Sequence, residues 1–208
     1  MSIGIIDYSV GNVGSVFNTL WNLGEDPKII STPEEILESD RLVLPGVGAA
    51  GPAMAALRER SIDEAIREAA LSKGAPILGI CLGMQILSDT LHEYGPHEGL
   101  GLISGEVVHF DDILADAEER LPHMGWTHVE LKDRPSPLHG IGGNLYFYFA
   151  HSFVFRASDE SHVAATSNYG APITVALVKD NIFATQFHPE KSQAKGEKVL
   201  ENFLAWTP

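Results

Sequence analysis

The chain has 208 residues, 44% of them apolar and 20% charged, which suits one domain able to bury a sizeable core. Fourteen basic against 28 acidic residues give a formal net charge of −14, and that sign argues against nucleic acid, whose phosphates are gripped by Lys/Arg clusters. The lone cysteine, Cys81, excludes an internal disulfide framework and fits a reducing cytosol. No apolar run reaches the roughly 18 residues that span a bilayer. The opening Met1-Ser2-Ile3-Gly4-Ile5-Ile6-Asp7 lacks the basic region and cleavage site of a signal peptide. Together these readings predict one cytoplasmic domain over 1–208, with no membrane segment.

Residues 3–6 are an apolar run and predict a buried strand. Gly11-Asn12 open a helix in which Val13, Val16, Phe17 and Leu20 recur at helical spacing. Strands follow at 27–30 and 42–44, a long Ala-, Glu- and Arg-rich helix at 52–71, a strand at 75–80 and a helix at 82–91. Such alternation means parallel strands joined by crossover helices. After Tyr94, turns separate β-rich runs at 105–110, 126–131, 145–149, 151–155, 163–167, 174–178 and 182–187. Several gaps are too short for a crossover, so antiparallel pairing is predicted there. An acidic turn or short helix at 111–120 and a closing helix at 194–205 complete the reading. The predicted fold is α/β: a mostly parallel central sheet flanked by helices, with an antiparallel section in the second half.

Gly79-Ile80-Cys81-Leu82-Gly83 has the form G-x-C-x-G between an apolar strand and a helix, the thiol version of a nucleophile elbow. The sharp turn exposes the nucleophile, the glycines remove side chains that would collide, and the helix N-terminus favours a thiolate. A small buried hydrophobe is the alternative reading of a lone cysteine. A thiol nucleophile needs a base and the base an orienting group. His188-Pro189-Glu190 follows the last predicted strand, and an extended path would put His188 and Glu190 on one side. The other eight histidines show no metal-binding spacing, so no metal is expected.

Gly46-Val47-Gly48-Ala49-Ala50-Gly51 matches the dinucleotide fingerprint letter for letter, but the next strand ends in Cys81 where an acidic ribose ligand would be wanted. A loop of backbone donors beside the elbow, able to meet an oxyanion, is the preferred reading. No cofactor is expected.

With Gly-Ile-Cys-Leu-Gly-Met-Gln and the late His-Pro-Glu, the chain resembles the triad, or class I, glutamine amidotransferases. Asp7-Tyr8, Gly11-Asn12, Leu44-Pro45-Gly46-Val47-Gly48, Pro122-His123-Met124-Gly125-Trp126, Tyr148-Phe149-Ala150-His151-Ser152 and Gln186-Phe187-His188-Pro189-Glu190-Lys191-Ser192-Gln193 are similar to one branch of that family, the glutaminase subunits of imidazole glycerol phosphate synthases. The resemblance implies hydrolysis of glutamine to glutamate and ammonia in histidine biosynthesis. Ammonia would pass to a (β/α)₈ barrel cyclase partner, which makes imidazole glycerol phosphate and an aminoimidazole carboxamide ribotide. It implies Cys81 as nucleophile, His188 as proton relay and Glu190 as its orienting group. Gly46, Val47, Gly48 and the Leu82 amide would form the oxyanion hole. Gln85 and Glu98 would hold the amino-acid end of glutamine, and His151, Ser152 and Phe153 its carboxylate through backbone and side chain. Asn12, Trp126 and Lys191 would face the partner. Ser9, Thr127, Phe153-Val154 and Glu106 depart from the branch's pattern. They leave two alternatives: the same glutaminase feeding a different synthase, such as a surface-polysaccharide sugar amidotransferase, and a non-catalytic partner-binding scaffold. A cysteine peptidase on a similar fold is more distant.

Overall fold

A computed structural model describes residues 1–114, 119–133 and 136–208. The first half runs β1 (Ile3–Ile6), α1 (Val13–Asn22), β2 (Pro27–Ile30), α2 (Pro33–Glu38), β3 (Arg41–Gly46), α3 (Ala50–Glu59), α4 (Ile62–Leu71), β4 (Ile77–Cys81) and α5 (Leu82–Gln85). The second half runs β5 (Thr90–Leu91), β6 (His97–Glu98), β7 (Gly105–His109), β8 (His123–Leu131), β9 (Tyr146–His151), β10 (Phe153–Ala157), β11 (Val163–Tyr169), β12 (Ala171–Lys179), β13 (Ile182–Thr185) and α6 (Gln193–Ala205).

Neighbours in the order β2-β1-β3-β4-β13 are all parallel. Beyond β13 the sheet turns antiparallel through β12, β10 and β7. A side branch leaves β12 through β11 and β8 to β9. This is the predicted α/β architecture with its antiparallel second half. The uniformly apolar core strands alternate between two buried faces, as strands covered on both sides must. Ile6, Leu42, Leu44 and Ile77 pack toward α3 and α4, whereas Ile5, Val43, Leu78 and Ile80 pack toward α1 and α6. No helix among the described residues is long and apolar enough to cross a membrane.

Two expectations need correction, and one helix was missed. The long helix at 52–71 is two helices, broken where Ser61 takes a left-handed φ of +53°. The helix expected over 82–91 stops after one turn. There the carbonyls of Ile86, Leu87 and Ser88 accept from the amides of Leu100, Leu102 and Gly101, so tertiary partners replace the helical ladder. Finally, α2 went unpredicted although Thr32-Pro33-Glu34-Glu35 spells a capping box: the Thr32 hydroxyl accepts from the Glu35 amide, and the Glu35 carboxylate accepts from the Thr32 amide. Of the acidic segment at 111–120, Phe110–Asp112 form a single 3₁₀ turn and residues 115–118 lie outside the described residues.

Candidate active site

The parallel register assembles the site. Gly46 of β3 lies opposite Cys81 of β4, and β13 on the other side runs beside β4 up to Thr185 opposite Ile80. The chain beyond β13 therefore carries His188 past the same carboxyl edge, where parallel α/β sheets place their ligands. Cys81 sits in the elbow with φ +55° and ψ −107°, a backbone strain for a residue with a Cβ. Both flanking glycines are demanded by space. A Cβ on Gly79 would stand 2.8 Å from the Gly83 carbonyl oxygen, and one on Gly83 would stand 1.8 Å from that of Leu44. Gly46 is equally confined, since a Cβ there would meet the Tyr8 hydroxyl at 2.4 Å and the Leu82 Cβ at 2.9 Å.

His188 Nδ1 lies 2.8 Å from Glu190 Oε1, both side chains buried. The expected pairing is present by a different route: Pro189–Lys191 form a 3₁₀ turn, not extended chain, and the turn folds the carboxylate back onto the ring. With Nδ1 engaged, Nε2 is the ring nitrogen left for a reacting group, and both His188 and Cys81 line the same cleft. Burial acts to lower the His188 pKa, but the hydrogen bonds and charges of Cys81 and Glu190 outweigh it and push the imidazole up to about 9. Gln186, which the sequence reading passed over, is fully buried and directs its Nε2 at the Cys81 sulfur from 3.7 Å.

These groups open into a cleft of about 810 Å³. Cys81, His188, Gln85, His151, Ser152 and Phe153 line it, as do Val47, Gly48 and Leu82 of the expected oxyanion region, while Gly46 lies buried behind them. Gly48 takes φ +91°, which favours glycine there. Gln85 donates to the Phe153 carbonyl at 3.2 Å and to Gln186 Oε1 at 3.0 Å, so only its own Oε1 remains to meet a ligand. His151 departs from expectation: Nδ1 faces the Phe153 carbonyl oxygen at 2.7 Å and Nε2 faces His123 at 2.9 Å, leaving no ring nitrogen for a substrate.

Glu98 is not brought to the cleft. It is exposed, ion-paired with Arg58 at 3.2 Å, and not among the residues lining the cleft. The carboxylate that lines the cleft is Glu93, the only one among the described lining residues. Its Oε2 accepts from the Ala50 amide at 2.6 Å, capping α3, whose own cap residue Ala49 offers no side-chain bond. The sequence signal for Glu93 was the His92-Glu93-Tyr94 loop directly after the β5 strand, too short a cue to choose between two nearby glutamates.

A family model for class-I glutamine amidotransferases matches residues 4–206. The chain belongs to that family. Among curated relatives, the amidotransferase is 46% identical over 204 residues to "Imidazole glycerol phosphate synthase subunit HisH" of Sulfurimonas denitrificans, covering 98% of each chain. It is 44% identical over 204 residues to the subunit of the same name from Desulfitobacterium hafniense, covering 98% of this chain and 94% of that one. Among solved structures, a chain in the structure of PurLQS from Thermotoga maritima superposes with a TM-score of 0.77 at 20% identity, covering 98% of this chain and 97% of that one, a likeness of fold.

At the cleft the amidotransferase exposes Val47, Tyr94 and Met124, and Trp126 and Tyr146 are exposed on the adjoining strands β8 and β9. Lys191 also lines the cleft and lies 5.9 Å from the Tyr148 ring, against which Trp126 packs edge-on. Asn12 caps α1, its Oδ1 accepting from the Ser15 amide at 3.3 Å, and so carries a structural duty besides the partner-facing one expected of it.

Proposed function

We propose that this chain is the glutaminase subunit of an imidazole glycerol phosphate synthase, one cytoplasmic catalytic domain that hydrolyses glutamine and passes ammonia to a (β/α)₈ barrel cyclase subunit in histidine biosynthesis. The observation that carries the reading is near-full-length identity of 46% to a named subunit of that synthase. Cys81 and His188 on the wall of one cleft, with the buried Glu190 carboxylate held against His188, support its chemistry.

In this reading Cys81 gives its proton to His188 and its sulfur attacks the side-chain amide carbon of glutamine. The amides of Val47, Gly48 and Leu82 receive the oxyanion. As the tetrahedral species collapses, His188 protonates the departing nitrogen, ammonia leaves and a γ-glutamyl thioester remains. His188 then takes a proton from water, the water oxygen attacks the thioester, and glutamate leaves as the thiol regains its proton. Glu190 holds His188 Nδ1–H throughout, so Nε2 alone exchanges protons with the substrate. Glu93 and Gln85 Oε1 hold the α-ammonium, and the Ser152–Phe153 backbone holds the α-carboxylate. The exposed apolar rim of Val47, Met124 and Trp126, too large to leave wet beside a catalytic mouth, is the surface the cyclase covers.

Glutamate release with and without an imidazole glycerol phosphate synthase barrel carrying a nucleotide ligand tests this function. A low basal rate raised at least tenfold by the liganded barrel is expected, and Trp126→Ala should lose most of that rise while keeping its fold. No stimulation of the folded wild type would overturn the synthase assignment. The two glutamates separate in the same assay. Glu93→Gln should raise the glutamine KM about tenfold or more, by loss of a charged partner, whereas Glu98→Gln should leave it unchanged; the reverse result would return the ammonium site to Glu98.

A further inference from the structure

Behind the Ser152–Phe153 edge of the cleft lies a chain of polar groups that the reaction above does not use. His151 Nδ1 lies 2.7 Å from the Phe153 carbonyl oxygen, His151 Nε2 lies 2.9 Å from His123 Nδ1, and His123 Nε2 lies 2.7 Å from Thr127 Oγ1. One end of this chain fixes every proton in it. A carbonyl only accepts, so His151 Nδ1 carries a hydrogen. A neutral ring carries one hydrogen, so His151 Nε2 is bare and His123 Nδ1 must donate to it. His123 Nε2 is then bare in turn, and the Thr127 hydroxyl donates there. Both rings are neutral: burial pulls His151 down to about 3, despite the Phe153 carbonyl and helped by the charges of His123 and His188, and pulls His123 down to about 4.

The surroundings hold the rings in register. The His123 ring is stacked between Phe149, with centroids 4.7 Å apart, and Tyr169, at 3.9 Å, while Phe110 packs against both imidazoles. The Tyr169 hydroxyl is committed elsewhere, donating to the Arg120 carbonyl at 2.5 Å. Thr127 and His123 share β8, four residues apart with Gly125 between them, whose φ of +137° favours glycine although a Cβ there would touch nothing. At the other end, the Phe153 carbonyl also accepts from Gln85 Nε2 at 3.2 Å, so two donors fix that peptide and a cleft-lining side chain together.

We infer that Thr127, His123 and His151 form a hydrogen-bond relay of fixed direction that positions the Phe153 peptide and Gln85 for the amino-acid end of glutamine. The inference rests on the cleft being the glutamine pocket. The relay's outer end is a half-buried hydroxyl next in sequence to the exposed Trp126, so it joins the strand at the cleft rim to the back wall of the pocket. All three are positioning residues; none meets the substrate through its side chain. Without the hydroxyl, His123 Nε2 keeps its bare lone pair but loses its donor, so the ring that supports His151 is held at one nitrogen instead of two.

Thr127→Val and Thr127→Ser test this in two readouts. Nitrogen-15 spectra of histidine-labelled protein near pH 7, recorded without glutamine, should show the wild-type His123 and His151 neutral with the hydrogen on Nδ1. Thr127→Val should keep both tautomers, which the Phe153 carbonyl sets, but should move the His123 Nε2 resonance as that nitrogen loses its donor, and Thr127→Ser should restore it. In glutaminase assays Thr127→Val should raise the glutamine KM about three- to tenfold, the effect of one weakened hydrogen bond, with kcat within about twofold, and Thr127→Ser should return KM to the wild-type value. An Nε2-protonated or doubly protonated ring in the wild type would overturn the relay. So would a Thr127→Val KM equal to the wild type's, whatever the spectra show. A wild type that does not turn over glutamine would refute the proposed function instead, and the spectra would still decide the direction of the relay.

Discussion

Replacing Cys81 with alanine should abolish glutamate release, by about 10⁴-fold or more, because no other group on the cleft can form the thioester. The fold should survive. Position 81 already holds a side chain at φ +55°, and alanine asks for no conformation the cysteine does not adopt. Synthesis by the complex from added ammonium salt should continue at the wild-type rate, since free ammonia bypasses the glutaminase cleft. A second readout is internal to the site. The Cys81 contact is one of two that hold the His188 pKa up near 9 against burial, so the alanine variant should titrate His188 lower, with Glu190 alone supporting it. Proton NMR of the histidine ring reads that shift directly. Loss of ammonia-dependent synthesis as well would mean that the substitution disturbs the subunit contact, and residual glutamate release near the wild-type level would remove Cys81 from the mechanism.

The elbow was legible because its requirements are local. A strand, two glycines and one thiol at fixed spacing describe a backbone approach that larger residues forbid, and the distances at Gly79 and Gly83 bear out the reason the glycines were noticed. The parallel core was legible for the same reason, in short apolar runs alternating with helical spacing. What the sequence hid depends on which distant group arrives. The helix after Cys81 ends at Gln85 because residues 100–102 claim the carbonyls of Ile86, Leu87 and Ser88. Glu98 and Glu93 are five positions apart in one loop region, and Arg58 on α3 decides between them by pairing with Glu98. The closeness of His188 and Glu190 was expected from an extended path, yet a turn produces it. His151 looked like a substrate contact until both its nitrogens were found committed, one of them to a histidine 28 residues away.

Gly83→Ala should be among the most damaging single methyl additions to the protein. The added Cβ would stand 1.8 Å from the Leu44 carbonyl oxygen and 2.9 Å from its carbon, both backbone atoms of a central strand. No rotamer change relieves such a clash, so β3 and the first turn after Cys81 must separate by more than an ångström. That movement costs at least the roughly 1–3 kcal/mol typical of overpacking, and it strikes between two paired strands, because β3 and β4 are in register from Leu42 opposite Ile77 to Gly46 opposite Cys81. Leu44 is two residues before Gly46, so the same displacement carries the loop proposed to receive the oxyanion away from the sulfur. Stability and kcat should therefore fall together: a drop in melting temperature of several degrees and a loss of glutamine turnover of about 100-fold or more, the scale of losing oxyanion donors. Gly14→Ala is the control, since a Cβ there meets nothing within 4 Å and α1 gains a better helix former. Equal melting temperatures for Gly83→Ala and the wild type would mean that β3 yields freely at Leu44, and the tight packing of the elbow against β3 would no longer explain why glycine stands at position 83.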